Sequence, residues 1–274
     1  MQTGANNGNT QKMVENLTFV YAEHGTRKGP RALSVDLFLP DTKGPFPLLI
    51  WMHSGDFRNG SRDHPDHSLI AAEFASHGYA MAAIDYRLAR PQAALTPSVA
   101  ASCEGLIAEA VASGEEMHKT FYGPRPLGVV EDCCAFLNHI HGRRAEFHLS
   151  GRYLLGGSSA GAISALNTLY LPSRIGLSRP GISTVFAFSG GFPYTPSLSE
   201  TGARIFATHN PGDVKMPISS MRRFAETTRD ICMLVECDVL VHGDLTLDPQ
   251  EPLSAAVARC VTFDQAKHPL RMDI

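Results

Sequence analysis

The strongest constraint on this chain comes from two continuous apolar runs, PLLIWMH at residues 47–53 and YAMAAIDYR at residues 79–87. A strand with one face in water alternates apolar and polar residues, whereas a strand covered on both faces is apolar nearly throughout. The two runs therefore predict parallel strands that are buried between two layers of helices. A membrane span would need about 18 consecutive apolar residues, and the chain has no such run.

Strand-like and helix-like patterns alternate along the rest of the chain. The segments with strand character are 17–22, 33–39, 47–53, 79–87, 152–158, 183–189, 204–208 and 232–241. Helices are predicted at 68–76, 102–113, 129–141, 160–170, 218–230 and 252–268. The first two strands have period-two alternation, which favours an antiparallel start. The later alternation of strands and helices predicts βαβ units and right-handed crossovers.

We therefore expect one α/β domain over residues 15–274, with a mostly parallel eight-stranded sheet, helices on both faces and no large cap domain. Residues 1–14 are polar and rich in Gly and Asn, and we expect a disordered tail there. Residues 88–128 are rich in Ala, Ser, Pro and Gly. This segment is longer than an ordinary strand-to-helix connection, so we predict an insertion that covers the mouth of a site.

Composition excludes several classes of protein. The formal net charge of −3 lacks the basic excess of a nucleic-acid-binding protein. The amino-terminal residues lack the apolar segment of a secretory signal, and the six cysteines show no CxxC spacing. We expect a cytoplasmic protein with reduced, mostly buried thiols and no nucleic-acid or membrane partner. The sequence is compatible with a homodimer.

The most specific motif is GSSAG at residues 157–161, which follows an apolar strand and begins an Ala-rich helix. This is the strand–turn–helix context in which a G-x-S-x-G nucleophile is found. Only Ser159 has glycines at both flanking positions of that pattern, so we assign the nucleophile to Ser159 and not to Ser158. The amino-terminal N–H groups of the following helix, beginning with that of Ala160, then face a developing oxyanion.

A second loop with possible catalytic function follows the strand at residues 47–53 and reads HSGDF at residues 53–57. A hydrolase of this architecture takes a second oxyanion donor from such a loop. We predict that the N–H groups of Gly55 and Asp56 complete the oxyanion hole with that of Ala160. We expect His53 to orient the loop, without acting as a base.

A serine hydroxyl needs a base, and the base needs an orienting carboxylate. Asp213 lies in a Gly/Pro turn beyond the strand at residues 204–208, and we place His242 at the end of the strand at residues 232–241. The chain order Ser159, Asp213, His242 is the order expected for a triad of this type. We expect aromatic residues to line the pocket: Phe57, Phe121, Tyr122, Phe192 and Tyr194.

Two other clusters of residues have simpler explanations. His64 and His67 lack the further ligands of a tetrahedral metal site, so we predict no metal and assign Asp66 as a helix N-cap. Cys133 and Cys134 lie on a predicted amphipathic helix, where we expect them to pack in the core.

These motifs resemble those of α/β-hydrolases of the carboxylesterase type with an HGGGF-like oxyanion loop, a family that includes bacterial esterases, feruloyl- and acetyl-esterase-like enzymes and arylformamidases. The resemblance covers residues 33–268 and rests on HSGDF at 53–57, DYRLA at 85–89, GSSAG at 157–161 and HNPGDVKMP at 209–217. It implies the same roles for Ser159, Asp213 and His242. Ser54 and Asp56 depart from the family pattern, because glycines are usual at both positions.

The sequence thus predicts a serine hydrolase that cleaves esters of small acyl groups through an acyl-enzyme and needs no cofactor. Its partner is a small-molecule ester. Two alternatives remain at this point. The same triad attacks amides or formamides, and the same fold can carry a catalytically silent binding protein.

Overall fold

The computed structural model describes residues 14–26, 29–88, 95–197 and 202–266. One sheet contains the strands β1 (Val14–Thr26), β2 (Gly29–Pro40), β3 (Phe46–Met52), β4 (Ala80–Ile84), β5 (Leu149–Ser158), β6 (Ile182–Phe188), β7 (Arg204–His209) and β8 (Cys232–Glu236). The α-helices are α1 (Pro65–Ser76), α2 (Pro97–Ala112), α3 (Pro124–Gly142), α4 (Ala160–Tyr170), α5 (Ile218–Thr227) and α6 (Leu253–Gln265). The tail predicted over residues 1–14 lies outside the described residues, except for Val14.

The strand order in the sheet is β1-β2-β4-β3-β5-β6-β7-β8. β2 pairs antiparallel with both β1 and β4, and every pair from β4 through β8 is parallel. The mostly parallel eight-stranded sheet and its antiparallel start are therefore confirmed. The carboxyl ends of β3, β5 and β7 lie along one edge of the sheet, which is where α/β proteins bind ligands.

Strand β3 shows why the apolar runs are continuous. Leu48, Ile50 and Met52 pack in a core with α3 and α4, while Leu49 and Trp51 pack in a second core with α1 and α6. Neighbouring residues of a strand point to opposite faces. Both faces of β3 are therefore covered by helices, as the sequence pattern predicts.

The start of α1 differs from the prediction. The helix begins at Pro65 and not at residue 68, and its N-cap is His64, whose ring nitrogen accepts the N–H of Asp66. Asp66 is therefore the second helical residue and not the cap. Proline is favoured in the first turn because its missing N–H has no partner there in any case, and this signal places the helix start earlier.

The segment predicted as an insertion contains α2, a short 3-10 turn at Lys119–Phe121 and the first residues of α3. Side-chain contacts fasten it to the domain. Glu115 forms an ion pair with Arg223 and accepts a hydrogen bond from Ser220, both in α5. Glu109 forms an ion pair with Arg174. The segment is thus held against the carboxyl-terminal half of the sheet.

Cys133 and Cys134 lie in the core face of α3, and both thiols are buried, as predicted. Burial raises the pKa of the Cys133 thiol to about 12. All six cysteines are free.

Candidate active site

The candidate nucleophile lies in a sharp turn between β5 and α4. β5 ends at Ser158, α4 begins at Ala160, and Ser159 between them has φ 55° and ψ −118°. Residues other than glycine rarely adopt such a backbone conformation, which costs about 1–3 kcal/mol. The N–H of Ser159 donates to the carbonyl of Phe188 on the neighbouring strand at 2.8 Å, which helps to hold the strained turn.

The two glycines of GSSAG are required by close packing against the end of β3. A Cβ atom at Gly157 would lie 2.5 Å from the carbonyl oxygen of Met52, and a Cβ at Gly161 would lie 2.0 Å from the same atom. Neither distance is compatible with a side chain. The turn therefore packs directly on β3, which brings Ser159 next to the loop that follows that strand.

A second loop holds the candidate acid. It follows β7, and Asn210 organises it by accepting the N–H of Gly212 on its side-chain oxygen and that of Asp213 on its carbonyl. The side-chain NH₂ of Asn210 donates to the carbonyl of Val239 at 2.9 Å. Asn210 thereby joins the loop after β7 to the loop after β8.

Asp213 and His242 meet between these loops. His242 Nδ1 lies 2.5 Å from Asp213 Oδ2, and the other oxygen of Asp213 accepts the N–H groups of Lys215 and Met216. Burial raises the pKa of Asp213, but the hydrogen bonds from His242 and the two backbone N–H groups outweigh it and bring the pKa below its usual value. Asp213 is therefore an anion that orients His242 through Nδ1.

A second histidine adjoins this pair. His209 is fully buried at the end of β7, with Nε2 at 2.9 Å from the carbonyl of Met216 and 3.7 Å from Asp213 Oδ2. Burial lowers the pKa of His209 more than the Met216 carbonyl raises it. His209 is consequently neutral near pH 7, and Asp213 adjoins two histidines, the partly exposed His242 and the fully buried His209.

The loop after β3 is shaped by aromatic packing. The ring of His53 stacks on that of Tyr86 at 4.0 Å, its Nδ1 bonds to the carbonyl of Ser54, and the hydroxyl of Tyr86 donates to the carbonyl of His53 at 2.6 Å. Burial lowers the pKa of His53 to about 4. His53 is thus a neutral, structural part of the loop.

Beyond His53 the backbone turns through three consecutive residues with positive φ: Gly55 at 117°, Asp56 at 56° and Phe57 at 58°. Phe57 is fully buried and anchors the turn, whereas Gly55 and Asp56 remain at the surface of a cavity. Gly55 and Asp56 line the same cavity as Ser159. The first N–H groups of α4, beginning with Ala160, have no acceptor within the helix.

These loops surround one cavity of about 710 Å³. The described residues that line it are Ser54, Gly55, Asp56, Arg58, His118, Thr120, Phe121, Ser159, Lys215 and His242. The structure therefore brings Ser159, His242, Gly55 and Asp56 to one cavity. Asp213 is joined to them by its bond to His242, and Ala160 by its position after Ser159.

Two details of the predicted site were wrong. β8 ends at Glu236, so His242 lies in the following loop and not at a strand end. Of the five aromatic residues predicted to line the pocket, Phe121 does so. Phe192 and Tyr194 border a separate cavity of about 120 Å³, Phe57 is in the core, and Tyr122 is partly buried and packs against that core.

Several residues that line the cavity were not predicted as site residues from any sequence motif. His118, Thr120 and Phe121 come from the insertion, Arg58 directly follows HSGDF, and Lys215 lies within HNPGDVKMP at a position to which the sequence analysis assigned no role. The only sequence signal for the first group is the length of the insertion. Its path toward Ser159 depends on tertiary packing.

Among the described residues, no group of three or more His, Cys, Asp or Glu side chains is arranged to hold a metal ion. Within the same residues, no helix is both long and apolar enough to cross a membrane.

Comparison with known families and curated proteins gives a partial result. The model of the family described as BD-FAE matches residues 35–108, from within β2 to within α2. The matched part includes the loop after β3 and ends before the turn that contains Ser159. No curated protein matches the chain.

Solved structures resemble the chain over almost all of its length. A bacterial heroin esterase is 18% identical with a TM-score of 0.62, and the alignment covers 93% of this chain and 85% of that one. Esterase 2 of Thermogutta terrifontis phosphorylated by paraoxon is 16% identical, with a TM-score of 0.61 and coverage of 90% and 92%. Esterase LipW of Mycobacterium marinum is 17% identical, with a TM-score of 0.57 and coverage of 92% and 80%. At these identities the similarity concerns the fold.

Proposed function

The chain has the α/β-hydrolase fold, and we propose that it is a serine hydrolase that cleaves carboxylic esters of small acyl groups through an acyl-enzyme. One observation carries the proposal. His242 is bonded to Asp213 at 2.5 Å and lines the same cavity as Ser159, which is held in a strained turn at the start of α4. The esterases among the structural neighbours and the BD-FAE match support the choice of an ester substrate.

In the first step, Ser159 Oγ attacks the ester carbonyl carbon and His242 Nε2 takes the hydroxyl proton. The carbonyl π electrons move to oxygen and form the tetrahedral oxyanion. Asp213 keeps the proton on Nδ1 and stabilises the imidazolium that forms. The bond between Asp213 and His242 supplies the required tautomer, because Nδ1–H donates and leaves Nε2 free to accept.

The oxyanion is stabilised by backbone N–H groups from two elements. Ala160 supplies one from the positive end of the α4 dipole, and the turn at Gly55 and Asp56 supplies the other. When the oxyanion collapses, the bond to the alkoxy group breaks and His242 returns its proton to the leaving alcohol. In the second half-reaction, water attacks the acyl carbon while His242 takes one of its protons. The resulting tetrahedral intermediate collapses, the bond from the acyl carbon to Ser159 Oγ breaks, and His242 returns the proton to Oγ.

The two adjacent serines give a matched test of this mechanism. We expect paraoxon to bind covalently to Ser159, and we expect Ser159→Ala to abolish the labelling and to lower kcat toward 4-nitrophenyl acetate by about 10³–10⁶-fold. Ser158→Ala removes the neighbouring hydroxyl and should retain both properties. Peptide mass mapping locates the label, and circular dichroism verifies that both variants fold.

The proposal fails if Ser159→Ala keeps near-full activity, or if the wild-type protein neither hydrolyses the ester nor reacts with paraoxon. A series of 4-nitrophenyl esters from acetate to dodecanoate tests the acyl preference, with kcat/KM expected to fall as the chain lengthens. A matched amide series measures ester over amide preference.

A further inference from the structure

Two cationic side chains lie at the mouth of the catalytic cavity. Arg58 follows the turn at Gly55 and Asp56, and Lys215 follows Asp213 in the loop after β7. Both side chains are exposed and line the same cavity as Ser159. Arg58 belongs to the loop after β3 and Lys215 to the loop after β7, so two separate loops each contribute one cation to the cavity.

Neither cation is neutralised by the side chains that the structure describes. Arg58 and Lys215 form no ion pair there, in contrast to Arg223, which is paired with Glu115. Asp213, two residues before Lys215 in the chain, is already bonded to His242 and to two backbone N–H groups. The positive charges of Arg58 and Lys215 are thus available to a bound molecule.

The charges of the cavity wall favour an anion. Among the described residues that line the cavity, Asp56 is the one carboxylate, against the two cations Arg58 and Lys215. The side chains that line the cavity therefore carry one positive charge in excess, while the anion Asp213 is buried behind His242 and its oxygens accept hydrogen bonds from His242 and two backbone N–H groups. A cleft with low-dielectric walls concentrates the field of such charges and attracts ligands of opposite sign. A guanidinium also offers two parallel N–H donors that match a carboxylate.

We propose that Arg58 and Lys215 form an anion-recognising subsite, and that the preferred substrates are small esters that carry a carboxylate in addition to the ester group. This inference rests on the proposed function, because it assigns a substrate class to the same site. The carboxylate is distinct from the oxyanion, which forms on the attacked carbonyl and is bound by backbone N–H groups.

Two pairs of probes locate the carboxylate on either part of the ester. In 4-acetoxybenzoate the carboxylate is on the leaving group, and its neutral partner is methyl 4-acetoxybenzoate. In monoethyl glutarate the carboxylate is on the acyl group, and its neutral partner is diethyl glutarate. The quantity measured is the ratio of kcat/KM for the anionic ester to that for its neutral partner. The anionic ester and its neutral partner differ in intrinsic reactivity, and this difference cancels when the ratio is compared between variants.

We expect Arg58→Met and Lys215→Met each to lower this ratio by about three- to tenfold for at least one pair, as is typical for the loss of one partly exposed charge contact. Asp56→Asn should raise the ratio, because it removes the like charge. Lys43→Met is the matched control. Lys43 is an exposed cation before the start of β3, at the opposite edge of the sheet, and its removal should leave the ratio unchanged.

Salt gives a second measurement on the wild-type protein. Screening at high ionic strength should lower kcat/KM for the anionic ester and leave that for its neutral partner nearly constant. The inference is overturned if the esters are hydrolysed but the ratio is the same in the wild type, Arg58→Met and Lys215→Met. Failure of the proposed function looks different, because then no probe is hydrolysed and paraoxon does not label Ser159.

Discussion

At the scale of single residues, the site combines strain with fixed orientation. Ser159 occupies a conformation that side chains rarely adopt, and Asp213 is held by three hydrogen bonds before any substrate is present. A group that is already oriented needs little reorganisation in the transition state, which is the main source of electrostatic catalysis. In the proposed mechanism, the backbone geometry of Ser159 and the hydrogen bonds of Asp213 therefore both reduce this reorganisation.

The hydroxyl of Tyr86 can be used to test whether the loop after β3 must be held in one fixed orientation for activity. Tyr86→Phe removes the hydrogen bond to the carbonyl of His53, which precedes Gly55 and Asp56. We expect kcat to fall about tenfold with little change in KM, and the free energy of unfolding to fall by about 1–3 kcal/mol. Steady-state kinetics with 4-nitrophenyl acetate and urea unfolding measure the two effects.

Tyr21 is the matched control for this variant. It is also buried and also donates its hydroxyl to a backbone carbonyl, that of Asp85, but it lies away from the cavity. Tyr21→Phe should cost similar stability and leave kcat unchanged. Equal effects of both variants on kcat would assign Tyr86 a purely structural role.

At the scale of elements, Arg87 in the segment after β4 connects the sheet to two helices. The guanidinium of Arg87 binds Asp132 at 2.6 Å and Glu131 at 2.8 Å, both in α3, and Glu131 also accepts the N–H of Thr96 at the start of α2. Within the described part of the DYRLA motif, residues 85–88, Arg87 thus has a structural function. Arg87 links the sheet to α3 and, through Glu131, to the insertion that borders the cavity.

Removal of Arg87 should destabilise the fold strongly. Arg87→Met leaves the buried carboxylates of Glu131 and Asp132 without their cation, and loss of one partner of a buried pair costs about 3–5 kcal/mol. Urea unfolding measures the difference. Arg222→Met, which breaks the exposed pair with Glu236 in α5 and β8, is the control and should have a much smaller effect. Similar losses in the two variants would contradict the assigned role of Arg87.

At the scale of the whole molecule, several buried histidines couple stability to pH. Burial lowers the pKa values of His53, His67 and His209, and that of His53 falls to about 4. In the unfolded chain these imidazoles bind protons below about pH 6.5, whereas in the folded protein they resist protonation. The unfolded state therefore binds more protons in this range, and stability must fall as the pH falls.

We expect the free energy of unfolding to decrease between about pH 6.5 and pH 4, with His53 alone contributing about 3 kcal/mol. Acidic groups such as Asp213, whose pKa is below the usual value, add their loss at lower pH. Urea unfolding at several pH values measures the slope, and His53→Gln should make it shallower. Constant stability between pH 7 and pH 4.5 would show that the histidines are not protected from protonation.

The sequence was sufficient for the architecture because local and global preferences agree. Continuous apolar runs identify strands covered on both faces, and glycines at 157 and 161 identify a turn too tight for side chains. Such short-range signals predict the eight strands, the antiparallel start followed by parallel strands, and the position of Ser159 at the start of a helix. Boundaries were less certain where a proline or a histidine cap replaced the expected signal, as at Pro65 and His64.

Only the tertiary structure decided what surrounds Ser159, the proposed nucleophile. The contact between Asp213 and His242 joins two loops that are separate in the chain, and the approach of Phe121 and Lys215 to Ser159 depends on how those loops and the insertion pack. Periodicity describes which face of an element is buried, but it contains no information about where an irregular loop ends in space. The sequence by itself therefore determined the fold and the candidate catalytic residues, whereas packing between distant segments determined the shape and the charge of the cavity.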